Sequence, residues 1–437
     1  MKSNRIKIFA FKSYKRNTKI SRINLNIILL LLVTAAILIG LTSCGTDSSG
    51  KISTDATSLK IEAETDEETK NIEKAKKRSV EIASLYKDIY AKAEKTASEN
   101  NNNQTVISQN DVDKIEKVLI EQGYPVMNSD SKYPAYLENS DCVYKFWESV
   151  SESKNVEQEI ITIFQTGELF YCHLQYYNGE KFQTGVVVSW DNENEPMVSS
   201  ANYTEVLDWY LSDNNDFYYQ IYPLNRHWDA YTLVRLKPVD RKLFDLTNKY
   251  LSHIGYLNNN MFLCDWTSQN YGDLSFNDLL EFFYKINNKD YFYAQNYESV
   301  KEPYYCSYIP ASLFEETIMP YFDISLKTFR ERSLYDSEKD IYPWQEIYCD
   351  NVIYYPSVEP EVYKYQENSD GTFTLTVNAR CNDYKTDRLF THQVVIRPLK
   401  DGGYKYLSNK ITYKSDLELP SNCPRLPQQR QNNTSGQ

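Results

Sequence analysis

The residues able to do chemistry are few, and their spacing excludes more than it assigns. The four histidines stand at 173, 227, 253 and 392. None lies in H-E-x-x-H or a related pattern, so no helix-borne metal site is encoded. His227 is the most site-like. Arg226, His227, Trp228 and Asp229 place a cation, an imidazole, an indole and a carboxylate in succession, and they form the candidate binding cluster, on a loop or sheet edge. His392 shares the apolar side of its segment with Phe390, Val394 and Ile396, which predicts a hydrogen-bonded core histidine. Ser84–Lys87 and Ser151–Lys154 match S-x-x-K, yet no K-T-G follows, since Lys385-Thr386 runs into Asp387. There is no G-x-S-x-G elbow. A glycosidase needs two carboxylates at a defined separation, and 60 Asp and Glu residues supply pairs everywhere. No catalytic residue and no metal ligand is therefore assigned.

Composition narrows the classes further. Glycine is scarce, 13 in 437 residues, and neither G-x-G-x-x-G nor G-x-x-x-x-G-K-[ST] occurs, so no nucleotide cofactor, and no cofactor of any other kind, is expected. Besides Cys44 there are seven cysteines, at 142, 172, 264, 306, 349, 381 and 423, without a C-x-x-C pair. They read as buried small hydrophobes or structural bridges, with one left over by parity. Tyrosine reaches 38, with clusters at 217–223, 303–310 and 353–365. Two readings stay open: an aromatic platform for sugars or peptides, or half-buried sheet positions with the hydroxyl at the surface.

These residues must be carried by two α+β units. Periodicity near 3.6 predicts helices over 73–97, 111–122 and 139–150. Period two follows at 159–165, 168–177 and 181–190, with Asn178-Gly179 as a hairpin turn. A further strand pair is expected at 217–223 and 230–238. The second unit repeats the order. Helices are expected over 240–256, from Ser275 with Asp278 three residues on, from Ser312 with Glu315 as a capping box, and from Ser325. Strands follow at 371–380, with Phe373, Leu375, Val377 and Ala379 facing inward, and at 388–398 and 403–411. The expected fold class is α+β, each unit being helices followed by an antiparallel β-meander, behind a signal peptide and a flexible tether. The boundaries read 1–44 for the signal, 45–74 for a polar Ser/Thr/Asp/Glu-rich tether, 75–238 and 239–415 for the two domains, and 416–437 for a disordered tail.

The N-terminus carries the most specific pattern. Residues 1–26 hold eight Lys and Arg and no acid, and Ile27–Gly40 is almost continuous hydrocarbon. Fourteen residues are short for a membrane span of about twenty, and basic plus short-apolar describes an export signal. Leu41-Thr42-Ser43-Cys44 resembles the bacterial lipobox. That resemblance implies cleavage between Ser43 and Cys44, a diacylglyceryl group on the Cys44 thiol, and residence on the outer face of the plasma membrane. Membrane lipid is then the first partner, through acylated Cys44. Without the signal the chain keeps 40 basic against 60 acidic residues, a net charge near −20. Such a body is a poor nucleic-acid binder, because phosphate contacts need Lys and Arg. A second resemblance rests on the segments 309–331, "IPASLFEETIMPYFDISLKTFRE", and 371–398, "GTFTLTVNARCNDYKTDRLFTHQVVIRP". They look like an uncharacterised lipoprotein family of clostridial Gram-positive bacteria, grouped as a domain of unknown function, which implies an anchored α+β lipoprotein and no catalytic residues. Three function classes follow. The leading one is a non-catalytic binding or envelope-scaffold lipoprotein whose ligand is a glycan, a peptide or an envelope protein. The others are a carboxylate-dependent cell-wall or glycan hydrolase and the solute-binding lipoprotein of a transporter, which would show parallel strands in two lobes.

Overall fold

The computed structural model describes residues 55–100, 106–128, 132–221, 231–300, 306–346, 357–421 and 424–426. Glu64–Gln437 form one compact unit. The class is α+β, with eight α-helices and four β-sheets among the described residues.

Helix α1 (Asp55–Ser84) is followed by α2 (Lys87–Asn100) and α3 (Gln109–Glu121). The chain is thus helical from Asp55, eighteen residues earlier than periodicity places it, and over most of the expected tether. Exposed pairs such as Lys70–Asp66, four residues apart, favour the helix without any apolar face. Ser108 caps α3, accepting from the Asp111 amide at 3.2 Å.

The first sheet runs β1 (Val126–Asn128), β2 (Val156–Ile163), β3 (Leu169–Tyr177), β4 (Glu180–Trp190), β5 (Pro196–Glu205). Only β1 and β2 are parallel. The β3–β4 hairpin turns at Asn178 and Gly179, both with positive φ. One face of the sheet packs Ile161, Ile163, Leu169, Val186 and Val188 under Ile82, Tyr86 and Tyr90 of the helices. At Gly167 (φ +77°) a Cβ would stand 2.4 Å from the Tyr90 ring, so this close approach requires glycine. The other face packs Ile160, Cys172 and Leu174 against α4 (Asp141–Ser151) and the three-stranded sheet β6 (Asp208–Leu211), β7 (Asp216–Gln220), β8 (Tyr231–Arg235).

After α5 (Arg241–Tyr250), capped by Asp240, comes β9 (Trp266–Thr267), then α6 (Leu280–Asn288). A small sheet, β10 (Ser299–Val300), β11 (Cys306–Pro310) and β12 (Ile341–Trp344), brackets α7 (Ala311–Ile318) and α8 (Leu326–Arg332). The last sheet orders β13 (Val358–Glu367), β14 (Phe373–Cys381), β15 (Thr386–Pro398), β16 (Tyr404–Lys414) and β9, all antiparallel. Phe373, Leu375, Val377 and Ala379 face its core as expected. Thr372 and Thr376, at the positions that alternate with these, are also buried.

Two helix starts differ from the sequence reading. Ser275 caps nothing: Asn277–Leu279 is a single 3₁₀ turn, and the Ser275 amide donates to Asn260. Ser312 lies inside α7, which starts after Pro310, and Glu315 is held by Arg330 at 2.7 Å and Tyr342 at 2.8 Å. Both carboxylates that resemble caps are taken by distant partners. Ser325 does cap α8, accepting from the Thr328 amide at 3.1 Å.

The apolar clusters keep to one side or the other of residue 238. Across that line the contacts are largely polar: Asn214 N–H to Asp387 at 2.9 Å, Tyr218 hydroxyl to Asp387 at 3.3 Å, and Arg235 to Glu361 at 3.4 Å. Within the tail expected to be disordered, some described residues are ordered. Arg425 and Leu426 are packed against the body, and Arg425 reaches back to Asp278 and Glu281.

Candidate functional site: a charged groove between α1 and the first sheet

Register decides what α1 meets. Strands β2 to β5 align Glu157, Gln175, Phe182 and Glu205 in one cross-strand row. The next row is Glu159, His173, Thr184 and Tyr203. The two rows after that are Ile161, Tyr171, Val186, Ala201 and Ile163, Leu169, Val188, Val198. Paired residues share a face, so this face is polar at one end and apolar at the other. Helix α1 matches the division. Ile82 and Ala83 cover the apolar end, while Asn71, Lys74 and Arg78, on one helical face, cover the polar end.

Between them lies a cavity of about 450 Å³, lined by Lys74, Lys77, Arg78 and Glu81 of α1 and by Glu157, Glu159, Tyr171 and His173 of the sheet. Arg78 grips Glu159 with two nitrogens, at 3.1 and 3.3 Å, and the Tyr171 hydroxyl donates to the same carboxylate at 2.8 Å. Glu157 accepts from Tyr177 at 2.7 Å and Lys74 at 3.3 Å, and contacts His173 Nε2 at 3.1 Å. Burial pushes His173 below its ordinary value and keeps it neutral at pH 7. Burial would raise Glu157, but the Tyr177 hydroxyl, His173 and Lys74 outweigh it and hold that carboxyl well below the usual range. The cationic and acidic groups of the lining therefore balance, and its two sheet carboxylates are already engaged.

Two further ionic clusters are filled by protein. Asp278 and Glu281 meet Arg425 at 3.1 and 2.6 Å, and the Trp344 indole donates to Glu281 at 3.0 Å. Burial pushes Glu281 up to about 7 against the pull of Arg425. Asp216 on β7, beside Arg235 at 3.4 Å, is likewise pushed up by burial, to about 6. Among the described residues no three His, Cys, Asp or Glu side chains converge as a metal site.

The residues singled out from the sequence fare unequally. Arg226, His227, Trp228 and Asp229 lie outside the described residues, as do Ser43 and Cys44. His392 is a buried core residue between Tyr256 and Asn409. Ser84 spends its hydroxyl on the Val80 carbonyl. Many tyrosines are structural: Tyr86, Tyr218, Tyr342 and Tyr406 are fully buried. The described cysteines Cys142, Cys172, Cys264 and Cys306 carry free thiols. The sequence reading missed the groove, although Glu157, Glu159, His173 and Gln175 already alternate in period two.

Residues 72–425 match a single family description, "Family of unknown function (DUF6070)". The chain belongs to the DUF6070 family. No curated protein and no solved structure matches it. The DUF6070 region opens on α1 beside Asn71 and closes at Arg425, so every groove residue lies inside it. The family brings no activity with it. Among the described residues no helix is long and apolar enough to cross a membrane.

Proposed function

We propose that the mature chain is a lipid-anchored extracytoplasmic binding protein without turnover, and that the groove under α1 is its ligand site. The observation that carries the absence of turnover is the state of the groove carboxylates. Glu157 is held ionised and Glu159 is clamped by Arg78. A glycoside hydrolase needs one carboxylic acid kept protonated beside a second carboxylate. Among the described residues the carboxyls pushed upward are Glu281 and Asp216, and they sit elsewhere, against Arg425 and Arg235. The predominantly antiparallel sheets argue against the transporter solute-binding class, whose lobes use parallel strands.

Anchoring rests on the lipobox-like Leu41–Cys44 behind a basic and apolar leader. Two acyl chains hold a protein stably at a bilayer where one does not. Cells expressing Cys44→Ala should incorporate no labelled palmitate into the protein and should shed it into the medium. Unchanged labelling overturns the anchor.

Ligand binding has a separate test. The soluble body, residues 45–437, should co-sediment with isolated Gram-positive cell walls without releasing soluble sugar or peptide. Arg78→Ala, which frees Glu159, should reduce the bound fraction at least fivefold. Equal sedimentation of the variant removes the groove from the function, and product release moves the protein to the hydrolases.

A further inference from the structure

We infer that the groove takes a neutral saccharide, which enters beneath the stretch of α1 around Asn71 and Lys74. This rests on the reading of the groove as a ligand site and specifies its chemistry.

The floor does not end at the open cavity. From His173 it continues along β3 to Gln175 and across the ladder to Thr184. Both are nearly inaccessible, at 5 % and 0 % exposure, and each has an oxygen without a hydrogen-bond partner: Gln175 Oε1 and Thr184 Oγ1. Buried polar atoms are nearly always paired. Two orphans side by side, next to a cavity wall, mark a surface made for something else. The Gln175 amide nitrogen is itself held loosely, at 3.5 Å from Asn71 and 3.4 Å from Glu157.

The chemistry of the ligand follows from what is left over. Lys74, Lys77 and Arg78 stand against Glu81, Glu157 and Glu159, so the lining favours neither sign of charge. Glu157 and Glu159 already have their donors, and an ionic ligand would have to displace them. The unsatisfied atoms are neutral: one needs a donor, and the other both donates and accepts. Hydroxyl groups answer both. The same rows also bring Phe182 and Tyr203 into a stack, with centroids 5.1 Å apart and planes 17° apart. Half-buried aromatic faces offer a flat apolar surface beside the polar row. A sugar ring, with an apolar face and a rim of hydroxyls, matches this juxtaposition. A peptide also offers donors and acceptors, so the preference for a sugar rests on the aromatic faces that lie beside the polar row.

Entry requires the stretch of α1 from Asp66 to Lys74 to lift. What holds it to the sheet is polar: Asn71, with a long contact to Gln175 and a hydrogen bond with Tyr203, and the Lys74–Glu157 pair, whose lysine is 64 % exposed. Exposed pairs of this kind contribute little. Between Asp66 and Ser84 the first buried apolar residue is Ala75 and the next is Ile82.

The test uses the soluble body, residues 45–437, titrated calorimetrically with chitotetraose and maltotetraose, and with an acidic tetrapeptide for contrast. One of the neutral tetrasaccharides should bind, with an affinity that changes less than twofold between 50 and 500 mM salt. Thr184→Val should melt at a higher temperature, because an unpaired buried hydroxyl is removed without loss of volume. The same variant should bind the sugar at least tenfold more weakly. A purely structural threonine would not couple a gain in melting temperature to a loss of binding. Binding of the peptide alone, or steep salt dependence, overturns the saccharide while leaving a groove ligand in place. Silence from both tetrasaccharides, with wall sedimentation still sensitive to Arg78→Ala, also overturns it and spares the broader function. Insensitivity of both measurements removes the site as well.

Discussion

Replacing Arg425 with alanine should cost about 4 kcal/mol of unfolding free energy, the range for stripping one partner from a buried ion pair. The residue lies twelve positions from the C-terminus, in a segment whose composition predicts disorder. Its guanidinium nevertheless closes a cluster at the heart of the second core. Nε meets Asp278 at 3.1 Å, Nη2 meets Glu281 at 2.6 Å, and Nη1 donates to the Gln345 carbonyl at 2.7 Å. Asp278 is 1 % exposed. Without the cation, both carboxylates face each other across a short helical step. The loss should depend on pH. Burial already raises Glu281 to about 7, so its proton stabilises the fold at low pH and is lost as pH rises through that value. Without Arg425 the carboxyl rises further, and the defect should be larger at pH 8 than at pH 6. Adding Asp278→Asn and Glu281→Gln should recover much of the stability, because uncharged amides tolerate burial better than orphaned carboxylates. Urea denaturation of the single and triple variants at both pH values measures this. A loss under 1 kcal/mol at pH 8 would show that the tail merely rests on the body. End of the DUF6070 region at residue 425 then makes physical sense, since the chain up to that point belongs to the core.

The same cluster shows where sequence reading stops. Short-range signals fared well when the partner is also local: Asn178-Gly179 turns the β3–β4 hairpin, and Asp240 and Ser325 cap their helices. They failed when a distant charge wanted the same side chain. Asp278 and Glu315 stand at cap-like spacings from Ser275 and Ser312, but Arg425 and Arg330 claim them instead. Nothing within a few residues of Asp278 announces a guanidinium 147 positions away. The groove illustrates the same limit. Its strand residues alternate visibly in the sequence. That they face Lys74 and Arg78 depends on α1 folding back over β2 and β3, roughly eighty residues on, as the Arg78–Glu159 pair records. Alternation tells which residues share a face and is silent on what covers that face. Two threonines make the point: Thr372, just ahead of β14, and Thr376 within it alternate with the inward residues, and both are buried.

His392 was legible from that alternation, and it sets the second large effect. It is fully buried, with Tyr256, Phe262 and Phe390 around it. Asn409 Nδ2 donates to the Cys264 carbonyl at 2.8 Å, which turns its Oδ1 toward the ring. That oxygen lies 2.7 Å from His392 Nδ1, so Nδ1 carries the proton, and Nε2 accepts from the Tyr256 hydroxyl at 2.9 Å. A second proton would face only the neutral Tyr256 hydroxyl and would leave a cation among aromatic side chains. Burial accordingly pushes the imidazole down to about 4, with the Asn409 contact opposing it. The unfolded chain titrates near 6.5. Below that value the unfolded state takes up a proton that the folded state refuses, so stability is lost as pH falls from about 6.5 to about 4, by roughly 3 kcal/mol in all. Glu281 and Asp216 act in the opposite sense over much of this range, because their folded carboxyls take up protons earlier than unfolded ones. The wild-type curve alone is therefore flattened, and the difference from His392→Gln isolates the histidine. That variant should be less stable than wild type at pH 7, where it disturbs the Tyr256 and Asn409 bonds. The gap should shrink by about 3 kcal/mol by pH 4 and approach or cross zero. A gap constant across the range would mean that the folded protein protonates His392 freely, and with it that water reaches the centre of the second core.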